Sequence, residues 1–267
     1  MEGSNPVDLG CVSHRRMSQV STPAIVIAAF RYGETSKIVR LATRDHGVQS
    51  AIAKGALRPR SRFGAALQVL SEGTAHYLAK EHRELHTLTS FDVGRVHVGL
   101  AEQLDRYAAA TALAELQLRL APAAPHPSSF AVLADALAVL EIAPDTAVEV
   151  LGLRALWRLV AVLGFAPALE QCSRDGAKLA EGAVAFSISE GGALCRTCAR
   201  MQPASELPAD ARLALSAFID LDRELPLLDD RHTTAHRRLL ARWVRHHLGE
   251  QAELPALEFW QRRSWAA

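Results

Sequence analysis

Apolar positions come in short blocks or alternate with polar ones over the first third of the chain, and recur every three or four residues over the rest. Residues 24–30 (AIVIAAF) are an unbroken apolar run, the pattern of a strand covered on both faces. Residues 36–43 (SKIVRLAT) partly alternate, Asp45-His46-Gly47 supplies a turn, and 48–53 continues as a third strand. Residues 66–70 and 74–79 read as one bent strand or a strand pair interrupted at Gly73. Residues 84–93 (ELHTLTSFDV) alternate again, with Leu85, Leu88 and Phe91 on the candidate buried face. Five short strands in succession favour a small closed or partly closed barrel, because closure leaves no unpaired edge; an SH3-like barrel fits the same pattern.

From about residue 101 the period is helical. Leu104, Tyr107, Ala108, Thr111, Leu116 and Leu118 spread over a segment ending at Pro122, and 121–127 (APAAPHP) is a rigid connector. Ser128 or Ser129 is placed to cap a helix carrying Phe130, Leu133, Leu137 and Leu140. Asp145 is placed to cap the next, whose stripe runs from Val148 to Leu163 before Gly164 and Pro167. Leu213, Phe218 and Leu221 belong to a further helix, and Leu239, Leu240, Trp243, Val244 and Leu248 to a last one stopped by Gly249. Such stripes are core.

At 267 residues, 49% hydrophobic and 22% charged, the chain is a folded protein with room for two domains. No apolar run approaches the ~20 residues needed to span a bilayer, and the run at 24–30 is too short and wrongly flanked for an export signal. Met17 offers an alternative start, which would leave the first sixteen residues as a disordered extension.

Charge changes the picture. The whole chain is +1, yet residues 31–62 hold eight basic side chains and two acids, a local net of +6. At the centre is KGALRPRSRFG (54–64), with Lys54, Arg58, Arg60 and Arg62, no acid, and Gly55, Pro59 and Gly64 to keep it out of regular structure. Together with Arg31, Lys37 and Arg40 these make a candidate surface for a phosphate backbone. Phe63 is a candidate base-stacking platform or, on the plainer reading, an apolar anchor for the loop.

Four cysteines, two of them close-spaced, point to a reducing compartment and metal ligation rather than a disulfide framework. Cys195-Arg196-Thr197-Cys198 follows a Gly-Gly turn, and Cys172 lies 23 positions earlier. Asp175 stands where a second upstream thiolate would complete a zinc ribbon. Cys172, Asp175, Cys195 and Cys198 are therefore the candidate ligands of one structural zinc, or the remains of a site that has lost it. Cys11 lies in the polar amino-terminal stretch, apart from these. His232 and His236 share a helical spacing without the Glu of a hydrolytic zinc site, and read as surface histidines on a basic helix with Arg237, Arg238, Arg242 and Arg245. No phosphate loop, dinucleotide fingerprint or nucleophile elbow is present.

Four stretches resemble the RecO family of bacterial recombination mediator and DNA repair proteins: 31–67 (RYGETSKIVRLATRDHGVQSAIAKGALRPRSRFGAAL), 157–172 (WRLVAVLGFAPALEQC), 191–198 (GGALCRTC) and 237–250 (RRLLARWVRHHLGE). The resemblance implies an α+β protein: an OB-fold barrel at 21–95, then a helical domain at 96–250 holding a zinc-ribbon-like insertion at about 169–203. Residues 1–20 are expected to be a disordered extension and 251–267 a tail. It implies a non-enzymatic, cytoplasmic, nucleoid-associated protein that binds single- and double-stranded DNA, anneals complementary strands and helps load RecA, with RecR and the acidic tail of the single-strand-binding protein as partners. No nucleotide cofactor is expected. Asp175 departs from the zinc-bearing members, which have cysteine there. For the tail, a groove between the helices at 104–118 and 239–248, flanked by Arg237, Arg238, Arg242 and Arg245, is the expected site. An RNA-binding accessory factor built on the same barrel is the alternative.

Overall fold

A computed structural model of the chain describes residues 17–80, 83–249 and 251–265. Cys11 lies outside them. Five strands, β1 (Met17–Tyr32), β2 (Ser36–Thr43), β3 (Gly47–Ala53), β4 (Glu72–Lys80) and β5 (Leu85–Arg95), close a barrel in the order β1-β2-β3-β5-β4. All pairs are antiparallel except β3 with β5. That order is the OB-fold.

Strand β1 is long enough to pair with β4 through its first half and with β2 through its second. Met17 to Val20 are part of this pairing, so the extension expected to reach residue 20 gives way to strand at residue 17. A bulge between Val26 and Ala28 re-aims the side chains that follow. Val26, Val39, Leu41, Ala51, Tyr77 and Leu88 fill the barrel, while Ile25, Ile27, Ala42 and Val48 join the core of the helical domain. The unbroken apolar run in β1 has this cause: two hydrophobic layers meet on one strand.

Residues 66–70 are not a strand. The link from β3 to β4 is a chain of turns, Arg58 N to Gly55 O, Ser61 N to Arg58 O, Gly64 N to Ser61 O and Ala66 N to Phe63 O, which consume the backbone groups a ladder would use. Ala56, Phe63 and Leu67 pin the link into the barrel core. Leu85, expected inside, is exposed at the start of β5.

The helical domain comprises α1 (Val98–Ala101), α2 (Leu104–Leu120), α3 (Pro127–Ile142), α4 (Val148–Val160) with a π turn at Ala161–Phe165, a ribbon-like insertion, and then three further helices. The insertion holds a three-stranded sheet of β6 (Val184–Ser187), β7 (Gly192–Leu194) and β8 (Ser205–Leu207), with the short α5 (Arg196–Ala199). The last three helices are α6 (Ala209–Ile219), α7 (Asp230–Leu248) and α8 (Pro255–Arg262). Helix α2 is the hub; its buried Ala108, Ala109, Ala110 and Ala112 let neighbours approach closely, and Gly152 of α4 lies against Ala109. No helix among the described residues is long and apolar enough to cross a membrane.

Two expected caps differ. His126, not Ser128 or Ser129, caps α3, its Nδ1 accepting from Ser129 N at 3.2 Å, with Pro127 in the first turn. Asp145 caps nothing; it accepts from Arg106 at 2.7 Å. The expected tail is also corrected: α8 buries Leu257 and Trp260 against the domain, with Leu254 buried just before it, and Glu115 of α2 accepts from Leu257 N at 2.9 Å.

Beyond the shared core, polar and backbone contacts also tie the barrel to the helical domain. At the β2–β3 turn, Gly47 (φ +68°) touches the backbone of Ala123 and Ala124 so closely that no side chain fits. At the end of β5, buried His97 lies between Glu141 of α3 (2.9 Å) and Glu72 (3.5 Å), and Arg95 reaches the same Glu141 at 2.8 Å. Although burial works against its charge, Glu141 is held below the usual carboxylate range by His97, Arg95 and the Gly99 N–H.

Candidate nucleic-acid interface and cysteine knuckle

The basic segment 54–64 is stitched to the β1–β2 hairpin. Leu57 N donates to Thr35 O at 2.8 Å and Gly55 N to Ser36 Oγ at 3.4 Å. Within the sheet Arg31 pairs with Lys37, and Lys37 with Ala53, the residue before Lys54. Six of the seven candidate cations, Arg31, Lys37, Lys54, Arg58, Arg60 and Arg62, therefore border one end of the barrel. Arg40 is set apart. It pairs with Ala28 and Ser50 on the outward face of the sheet, opposite in parity to Lys37, and its Nε is buried with no hydrogen-bond partner among the described residues.

Among the described residues none of the seven makes an ion pair. Arg31 has a 3.4 Å contact to Gly33 O, whereas Arg44, in the β2–β3 turn at the other end of β2, is matched by Asp45 at 3.1 Å. Asp45 is correspondingly held below its usual range by Arg44 and by the Thr22 hydroxyl. Uncompensated charge on a loop rich in turns is a surface that takes a polyanion without first breaking internal bonds. Phe63 is buried in the barrel core with the Arg62 guanidinium 5.1 Å from its ring centroid, so it anchors the loop and orients Arg62. Among the described residues of the barrel, the exposed aromatic rings are instead Phe30 and Tyr32, on the outward face of β1. The signal for them was the alternation continuing past residue 28, obscured because Phe30 ends an apolar run.

The cysteine cluster assembles from two turns. Cys172, Asp175, Cys195 and Cys198 bring three Sγ atoms and a carboxylate oxygen within 4.8 Å of one another, a group that can hold a metal ion. Asp175 Oδ1 accepts from Ala177 N at 3.0 Å, which leaves Oδ2 facing the thiols of Cys195 and Cys198, each at 3.3 Å. The Ala177 N–H, with the thiols of Cys172, Cys195 and Cys198, holds Asp175 well below the usual carboxylate range. Burial and the facing carboxylate push the Cys198 thiol up to about 12. At Cys172 burial opposes the thiolate, but backbone N–H groups of Cys195, Asp175 and Arg174 outweigh it and bring the thiol below its ordinary value. The donor set suits a metal that accepts sulfur and oxygen together. Sulfurs bound at ~2.3 Å around a tetrahedral zinc stand ~3.8 Å apart, inside the observed cluster.

On α7 the expectations divide. His236 is not a surface residue: it is 3% exposed, edge-on to Phe218 at 5.2 Å, and burial pushes its imidazole down to about 4, with a smaller contribution from His232. Arg237 is 6% exposed and leaves the candidate peptide site, because it pairs with Glu149 at 2.8 Å. Glu149 also holds Arg263, which holds Asp105, so this network ties α7, α4, α8 and α2 together. Arg238 and Arg242 are exposed, and Arg245 is half-buried beside Glu258 at 3.3 Å. An open cleft of about 650 Å³ runs beside Arg242 and Arg245, bordered by Leu239, Phe186, Ile188 and Pro203. Its second wall is the ribbon, where a groove against α2 was expected.

Barrel and knuckle together define a class: a basic OB-fold carried on a helical domain with a zinc-ribbon-like insertion. Two family models cover it, "Recombination protein O N terminal" over residues 17–96 and "Recombination protein O C terminal" over 101–255. The chain belongs to the RecO family of recombination and DNA repair proteins. It is 32% identical over 232 residues to the "DNA repair protein RecO" of Rubrobacter xylanophilus, covering 87% of this chain and 92% of that protein. Its counterpart in Anaeromyxobacter dehalogenans is 34% identical over 247 residues, covering 88% and 94%. That of a Nocardioides species is 37% identical over 199 residues, covering 72% and 78%.

Proposed function

We propose that the chain is a non-enzymatic DNA-binding recombination mediator, which anneals complementary strands and, with RecR, helps load RecA onto strands coated by the single-strand-binding protein. The observation that carries this reading is the group of six cations at one barrel end with no carboxylate partner among the described residues. A backbone laid along Arg31, Lys37, Lys54, Arg58, Arg60 and Arg62 has its charge neutralised there, and a second strand approaching within a Debye length of about 8–10 Å meets less repulsion. Base edges stay free to pair. No bond is made or broken, so binding energy alone drives the exchange.

Cys172, Asp175, Cys195 and Cys198 would hold a structural zinc. Such an ion cross-links two turns of the ribbon, and four protein ligands leave no position open for chemistry. The acidic tail of the single-strand-binding protein would dock in the α7–ribbon cleft, its carboxylates on Arg242 and Arg245 and its apolar end on Leu239 and Phe186, with Arg238 outside as a steering charge. The protein would work in the cytoplasm, at the nucleoid.

Charge reversal tests the reading. The triple variant Lys54→Glu, Arg58→Glu, Arg60→Glu should keep its circular dichroism spectrum and lose single-strand affinity, with the log–log salt slope falling by about 2, at about 0.7 per lost phosphate contact. Unchanged anisotropy with a labelled oligonucleotide at low salt would remove the loop from the site. Tighter binding of an RNA of the same sequence would favour an RNA-binding accessory factor.

A further inference from the structure

The outward face of β1–β3 is divided. Toward the β2–β3 turn, Ile25, Ile27, Ala42 and Val48 lie under the helical domain. Toward the β1–β2 hairpin the same face is open. There Phe30 is 57% and Tyr32 53% exposed, and Ile38, directly across from Phe30, is half-buried. Large rings this exposed gain nothing for the fold, and they stand among uncompensated charge. Arg31 lies between them in sequence, and Arg40, with its unpartnered Nε, is the diagonal cross-strand neighbour of Phe30. An apolar protein partner would meet these cations without an acid to match them, whereas a nucleic acid strand offers flat apolar bases with a phosphate at every step.

We infer that Phe30 and Tyr32 are stacking platforms for unpaired nucleobases, with Arg40 holding the phosphate that flanks Phe30 on the side away from Tyr32; this rests on the basic barrel end being the nucleic-acid surface. Two residues apart on a strand, the rings are rooted ~6.6 Å from one another. Bases stacked in a duplex rise ~3.4 Å per step along a strand. Neighbouring bases that each rest on a ring must therefore part from one another, which a paired duplex resists and a single strand permits. The platform selects the unpaired strand, while the surrounding cations bind either form.

Both rings are exposed, so truncation leaves the core intact. Phe30→Ala with Tyr32→Ala should weaken binding of oligothymidylate by at least about fivefold for each ring, at constant salt and with an unchanged salt slope. Affinity for a duplex of equal length should hold. Wild-type protein should prefer oligothymidylate to an abasic strand of the same length, and the double variant should lose that preference. Tyr32→Phe should bind as wild type, since stacking needs the ring and not the hydroxyl. Phe30→Trp should retain binding and show indole quenching on adding oligothymidylate. Undiminished single-strand affinity in the double variant, or equal losses on duplex and abasic strand, would overturn the assignment. If the loop reversals abolish binding while the ring variants do not, stacking alone fails; if neither changes binding, the barrel end itself is the wrong surface.

Discussion

Lys37 and Arg40 sit three positions apart on one strand and face different surroundings, because side chains alternate across a sheet. Lys37 looks along the barrel end beside Arg31, and Arg40 lies on the outward face beside Phe30. The same care decides α7, where His236, Leu240, Trp243 and Val244 form one buried stripe and Arg237 borders it. That stripe was legible in the spacing, but two polar residue types within it disguised its width. Burial keeps His236 neutral, its imidazole lowered to about 4 from 6.5, with His232 and Asp210 as the facing titratable groups. Between those values the unfolded chain binds the proton and the folded chain does not. Folding therefore loses stability as pH falls from about 6.5 toward 4, by up to about 1.4 kcal/mol per pH unit, and loses nothing from this group above it. His236→Phe should flatten that part of the profile in urea melts relative to wild type. An identical slope in the two proteins would mean that His236 is not the group responsible.

At the scale of elements, the strands and long helices were readable because their apolar periods are sustained over several repeats. Short or irregular elements were not. Helix α8 has eight residues, too few to establish a period, and its anchors Leu257 and Trp260 are identified only by what they pack against. Residues 66–70 carry strand-like residue types, but Leu67 and Leu70 anchor a turn-rich link. The knuckle was legible from cysteine spacing alone, and the position of Asp175 from the missing thiolate. What spacing did not convey is that one carboxylate oxygen is taken by Ala177 N and the other turned to the sulfurs. Native mass spectrometry of protein purified in zinc should show one ion bound, lost on chelation and absent from Asp175→Ala; no bound metal would leave the knuckle as a set of packed thiols. The cleft between α7 and the ribbon makes a separate prediction. Arg242→Glu with Arg245→Glu should weaken an acidic, hydrophobic-ended peptide at least tenfold in fluorescence titration, and an undiminished affinity would move the docking site elsewhere.

For the molecule as a whole, a net charge of +1 conceals a division of labour. Among the described residues the barrel concentrates uncompensated cations at one end, and the helical domain matches arginines with carboxylates, as Arg106, Arg237 and Arg263 show. Position along the chain revealed the excess at 31–62, but only the folded arrangement separates Arg44, matched by Asp45, from the seven that make no ion pair among the described residues. The central claim is that phosphate chains adhere to that end through released counterions. Its most direct test is the affinity of the intact protein for a single-stranded oligonucleotide across a salt series. About five neutralised phosphates predict a log–log slope near −3.5. A flat titration would contradict the account.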